Sequence, residues 1–223
     1  MSPHTIIIIA LGVVELLVAM YVFAKYQKTA SIYSLIAFLL SIGVMSVLVG
    51  IIPSVGSSDG RLLIGKLAFF AGTVTFASLF SIALYFPLPS AVTKKTASLL
   101  IFAPIFVLIF LIFFSGRFVE RVDIDGNLAR AQPGSLFLVF TLITALYLIA
   151  AFLFMIRKVP LVGGQQRRQV IIFSWLMLIT GVVGVLSDNF LPIFGIHHSA
   201  YGLEGGGLIA LYVASVVLKK NPG

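Results

Sequence analysis

Long runs of apolar residues, each closed by charge or by a Pro/Gly cluster, set the pattern of this chain. Runs of about 20 residues suit helices that cross ~30 Å of hydrocarbon, because only a helix or a closed barrel satisfies its own backbone there. The pattern predicts seven spans: Thr5 to Ala24, Ser31 to Ile52, Leu62 to Phe86, Ala97 to Phe114, Ser135 to Ile156, Val170 to Leu186 and Tyr201 to Leu218. The longest connection, Ser115 to Gly134, departs from it. There Phe118-Val119-Glu120-Arg121-Val122-Asp123-Ile124 alternates with period two and runs into the turn residues Asp125-Gly126-Asn127. That reads as a short external β-hairpin between helices four and five. The expected fold is therefore all-α, one polytopic membrane bundle of seven transmembrane helices filling residues 1–223 as a single domain.

Composition agrees with lipid as the solvent. The chain is 60% hydrophobic and 10% charged, against the roughly 25% charge of a soluble domain. A net charge of +8 would point to nucleic acid in a soluble protein, but here the basic residues are dispersed between the apolar runs, so no nucleic-acid partner is expected. They read as topology signals, because Lys and Arg are retained on the cytoplasmic side. Lys25, Lys28, Lys94, Lys95, Arg157, Lys158, Arg167, Arg168, Lys219 and Lys220 fall on one side, ten of the fifteen basic residues. The opposite loops mix Arg61, Arg117, Arg121 and Arg130 with Asp59, Glu120, Asp123 and Asp125. The expectation is a multi-pass cell-membrane protein with its N-terminus outside and its C-terminus in the cytoplasm.

An ionisable group inside a span costs several kcal/mol unless it is paired or hydrated, so such groups are candidate functional residues. Glu15 lies near the middle of span one, roughly 15 Å from either end at 1.5 Å per residue. Lys66 lies about one turn inside the outer end of span three. Asp188 and Asn189 follow span six at the outer face, and Glu204 lies one turn into span seven from that face. Together Glu15, Lys66, Asp188, Asn189 and Glu204 are the candidate ligand contacts, in a pocket that opens outward. The plainer alternative pairs Glu15 or Glu204 with Lys66 as an interhelical tie and leaves Asp188 solvated at a helix end. Gly202, Gly205, Gly206 and Gly207 at the start of span seven favour close packing against a neighbouring helix.

Several chemistries lack a centre. With no cysteine, thiol nucleophiles and thiolate metal sites are excluded. A retinal Schiff base needs a lysine within a late span, and span seven has none before Lys219. Gly56-Ser57-Ser58-Asp59-Gly60 matches the hydrolase elbow Gly-x-Ser-x-Gly, but it follows a membrane span instead of a strand, and reads as a flexible turn. His-Glu-x-x-His is absent, and His4, His197 and His198 lie at or outside the outer face, so neither an intramembrane metalloprotease nor a haem carrier is indicated. No catalytic residue, metal or cofactor is expected, and the chain is not read as an enzyme.

The tract from Arg167 to Lys220 resembles the end of the N-terminal seven-helix region of membrane histidine kinases. The likeness rests on Arg167-Arg168-Gln169 opening span six, on Asp188-Asn189-Phe190-Leu191-Pro192-Ile193-Phe194-Gly195 after it, and on Tyr212-Val213-Ala214-Ser215 running out to Lys219-Lys220. The loop around Asp125-Gly126 and the third span, ending Leu84-Tyr85-Phe86-Pro87, add to it. That family carries a phosphoacceptor-histidine domain and an ATP-binding domain after its last span. No residue here matches those motifs, so kinase activity is not carried over. The resemblance implies a membrane sensor that relays an external or lipid signal through its last helix. Its expected partners are membrane lipid, a small ligand, a cytoplasmic kinase domain or partner protein, and a second copy as a homodimer. The rival readings are a small proton-coupled transporter or channel built on Glu15, and a structural subunit of a membrane complex.

Overall fold

The computed structural model describes residues 3–27, 29–88, 94–125 and 128–194, together with 207, 210, 212 and 215. Six long apolar helices lie within them: α1 (Pro3–Lys25), α2 (Ala30–Ile51), α3 (Ser58–Tyr85), α4 (Lys94–Phe114), α5 (Phe137–Lys158) and α6 (Gly164–Gly184). α6 continues without a break through a π-helical turn, Val185–Phe190, and a short turn, Leu191–Ile193. The described positions of the predicted seventh span, Gly207, Ala210, Tyr212 and Ser215, are helical. The chain is an all-α membrane bundle with one small two-stranded sheet.

α1 buries one stripe, Thr5, Ile8, Gly12, Glu15, Ala19 and Val22, at alternating spacings of three and four. The opposite face, with Ile6, Val13, Leu17 and Met20, is exposed, as expected for a helix bordered by lipid. Lipid tails are as apolar as leucine, so helices associate in membranes by close approach and interhelical hydrogen bonds. Both devices are present here. A methyl group added to Gly12 would sit 2.8 Å from the Gly43 carbonyl oxygen, so the two backbones of α1 and α2 meet at a glycine pair. Between α2 and α3 the Ser34 and Ser81 hydroxyls are 2.7 Å apart, and Thr75 Oγ1 donates to Ser41 Oγ at 3.0 Å.

α3 is the most enclosed span, packed against α2, α4 and α5. It begins at Ser58, earlier than the apolar run suggests, because Ser57 Oγ accepts the Gly60 N–H and caps the helix, with Asp59 in its first turn. The Gly56 to Gly60 tract is thus largely a capped helix start instead of a flexible turn. α4 carries Pro104, which has no N–H to offer Leu100 O one turn back, and Tyr147 Oη of α5 donates to the adjacent carbonyl, Ile101 O, at 2.6 Å. Its outer face, with Leu99, Phe102, Phe106, Phe110 and Phe114, is left to lipid.

The predicted hairpin is present. β1 (Val119–Asp125) and β2 (Leu128–Pro133) pair antiparallel, from Asp125↔Leu128 at the turn to Val119↔Pro133, with a register irregularity between Val119 and Arg121. A two-stranded hairpin alone is marginal in water, and this one is stabilised by docking. Phe118, Val119 and Val122 are buried, with Val122 against Gly65 of α3. The Phe118 ring enters a cluster with Phe69, Phe137 and Phe140, at centroid separations of 5.3, 5.4 and 5.4 Å. The polar face remains outside, where Arg121 Nε lies 2.9 Å from Asp123 Oδ2.

Candidate functional site

The predicted site residues that are described lie on three elements: Glu15 on α1, Lys66 on α3, and Asp188 and Asn189 at the end of α6. Glu15 stands at the centre of the buried stripe of α1 and is 1% exposed. Among the described residues neither of its carboxylate oxygens has a hydrogen-bond partner. It faces the last segment: a methyl group on Gly207 would lie 2.7 Å from Glu15 Oε1, so the carboxyl fills the space a side chain there would take. The four glycines foreseen as a close-packing tract therefore have one member whose packing partner is a carboxyl group. Gly202, Gly205 and Gly206 lie outside the described residues, as do Glu204, His197 and His198.

Lys66 is partly exposed on α3, next to the Gly65 position that receives hairpin residue Val122. Among the described residues it makes no ion pair, and Glu15 is not bonded to it. The interhelical tie between Glu15 and Lys66 is therefore absent.

Asp188 and Asn189 require a correction. They do not follow span six but lie inside it, within the π-helical turn. Asn189 is 6% exposed, and Asp188 Oδ1 accepts from Ser187 Oγ at 2.7 Å, so neither is a residue at a solvated helix end. The apolar run ends at Leu186, which places these polar residues outside by hydropathy alone. Helical hydrogen bonding nevertheless carries on for seven more residues, to Ile193. A π turn shifts the register of the side chains beyond it. Here it brings Ile193 onto the hydrophobic cluster beneath the hairpin, which includes Phe137 and Phe140.

A buried cation at the opposite end of the bundle escaped the sequence reading. Lys158, counted there as a topology charge, is 4% exposed. Its Nζ donates to the carbonyl oxygens of Ala83 at 2.6 Å, Leu84 at 2.9 Å and Phe86 at 3.0 Å. Ser31 Oγ donates to Tyr85 O at 3.0 Å, and the Phe86 N–H to Ile82 O at 2.8 Å. Every carbonyl from Ile82 to Phe86, which the end of α3 would otherwise leave unsatisfied, has a donor. An ammonium also suits the negative end of the helix dipole. The only signal for this in the sequence is the requirement itself: a helix end inside a membrane protein needs donors from somewhere.

Among the described residues no group of three or more His, Asp or Glu side chains gathers to hold a metal ion. The distinctive features are a buried carboxyl facing the last segment, a polar π turn beneath the hairpin, and an ammonium that ties α5 to α3.

Residues 7–216 match the family model described as the N-terminal 7TM region of histidine kinase, a span that runs from α1 to the last helical segment. No curated protein matches the chain.

Proposed function

Since the chain belongs to the family of N-terminal 7TM regions of histidine kinases, we propose that it receives a signal within or outside the membrane and relays it through its last helix to a cytoplasmic kinase domain. The observation that carries this reading is the meeting of Glu15 with Gly207. A buried polar group without a partner among the described residues is held where the last helix passes, so whatever satisfies that group acts on that helix directly. A ligand shifts a packing equilibrium only by its difference in affinity for the two arrangements. An unsatisfied carboxyl supplies such a difference, because burial without a partner costs several kcal/mol.

In this reading the hairpin end faces outward and the Lys158 end faces the cytoplasm, in keeping with the ten basic residues on that side. On this orientation Lys66, near the start of α3, and Asp188 and Asn189, near the end of α6, fall toward the outer side, with Glu15 deeper along α1. The π turn in α6 supports the reading, since such turns are frequent at functional sites. The test is autophosphorylation, in membrane vesicles, of a protein in which this region is joined to its kinase domain. Ala substitutions at Lys66, Asp188, Asn189 and Glu204, and Glu15→Gln, should change the response to stimulus. An unaltered response in all five would sink the relay.

A further inference from the structure

We propose that Lys25, Lys95, Arg157 and Arg168 form a collar that binds the phosphates of anionic lipid head groups at one end of the bundle. The proposal concerns the lipid around the helices and stands apart from the relay.

Each of the four residues is exposed and heads the lipid-facing stripe of its own helix. On α1, Lys25 follows exposed Leu17 and Tyr21, and on α4, Lys95 precedes exposed Leu99 and Phe102. On α5, Arg157 follows exposed Ile149 and Leu153, and on α6, Arg168 precedes exposed Ile172 and Trp175. The spacings are three and four, so each charge lies on the same helix face as the apolar groups. The end of α1, the start of α4, the end of α5 and the start of α6 fall on one side of the bundle, where Lys158 of α5 and Ser31 of α2 also bond to the end of α3. Followed to the other side, the same stripes close on Ile6, Phe114, Leu138 and Phe190, all exposed and uncharged.

Nothing acidic in the protein neutralises the collar. Residues 25–29, 86–96 and 157–169 contain no Asp or Glu, and among the described residues none of the four pairs with a carboxylate. Arg121 on the hairpin, by contrast, has Asp123 beside it. Nor is the outward position a default for a basic residue at this end. Lys158, the neighbour of Arg157, turns inward onto the carbonyls of α3.

Position selects the ligand. A long basic side chain at the head of a lipid-facing stripe lays its stem along apolar surface and holds its charge where hydrocarbon gives way to head groups. The anion found at that level is a lipid phosphate, whereas an acidic soluble protein approaches from the water. The planar guanidinium groups of Arg157 and Arg168 suit two phosphate oxygens at once. A zwitterionic head group brings its own cation and an anionic one does not, so the collar favours the anionic lipid, by about fivefold for each basic residue in contact.

Trp175 supplies a local reporter. It is the single tryptophan of the chain, exposed, and about 10 Å along α6 from Arg168 at 1.5 Å per residue. The protein is placed in vesicles of equal parts phosphatidylglycerol and phosphatidylcholine, with bromine on the acyl chains of one lipid or the other, and quenching of Trp175 fluorescence is compared. Brominated phosphatidylglycerol should quench more, to the extent of about fivefold higher occupancy beside Trp175. The preference should vanish in the double variant Arg157→Gln, Arg168→Gln and persist in Arg121→Gln. It should also persist when inorganic phosphate is added at matched ionic strength. Equal quenching by the two lipids in the unaltered protein overturns the proposal without any variant being needed. A preference that survives the double substitution, or is lost equally in Arg121→Gln, overturns it too, and abolition by inorganic phosphate would assign the site to a free anion instead of a lipid.

Discussion

Lys158 and Ala83, 75 residues apart, are joined by a 2.6 Å hydrogen bond from the Nζ of one to the carbonyl oxygen of the other at the end of α3. With Leu84 and Phe86 the ammonium serves three carbonyls, and so locks the end of α5 to the end of the most enclosed helix. Replacing it leaves those carbonyls without their donor, and unpaired buried polar groups cost about 1–3 kcal/mol each in protein mutational data. Lys158→Met also removes the cost of burying the ammonium, which offsets part of this, so stability should fall by about 2–4 kcal/mol. Thermal unfolding in detergent, followed by the far-UV helical signal, provides the measurement. An unchanged transition would mean that the α3 end finds other donors.

The glycine pair of α1 and α2 is the second point of rigidity. A Cβ on Gly12 would meet Gly43 O at 2.8 Å and Ser46 Cβ at 2.9 Å, and backbone cannot move aside as a flexible side chain can. Gly12→Val should cost about 1–3 kcal/mol by overpacking. It should also loosen α1, raising hydrogen exchange along that helix more than along α5, where Tyr147 and Lys158 hold separate ties. Equal exchange in both helices would count against a local effect.

Topology can be read directly because the chain has no cysteine of its own. Glu120→Cys on the hairpin and Gln165→Cys at the start of α6 both replace exposed residues. A membrane-impermeant maleimide added to intact cells should label the first and leave the second unlabelled until the membrane is opened. The reverse pattern would invert the proposed orientation.

Helices and hairpin were legible because hydropathy at periods of 20 or so residues, and alternation at period two, are local properties of the chain. The end of span six was not. Its apolar run stops at Leu186, but Ser187, Asp188 and Asn189 are sheltered by packing against α5 and by their own hydrogen bonding, which hydropathy does not register. The burial of Lys158 went unforeseen for a related reason. A lysine after an apolar run looks the same whether its head group reaches water or turns inward onto a helix end. The choice is made by α3, whose terminal carbonyls lie more than seventy residues earlier in the chain. Glu15 stands out in the sequence because a charge in the middle of a span is conspicuous, and the structure buries it. That Gly207 lies against it depends on which helices touch, and no single span encodes that.

The central claim, that this is the sensing region of a kinase system, is tested most directly by the phosphate chemistry of the protein in its native membrane. Antibody to the hairpin would recover the polypeptide with anything bound to it, and radiolabelled ATP would then be supplied. The account predicts acid-labile phosphate, the signature of phosphohistidine, either on the polypeptide that carries this region or on a protein recovered with it. Recovery of the intact protein and its partners with no acid-labile phosphate on any of them would contradict the account, and would move the transporter and structural-subunit readings ahead of it.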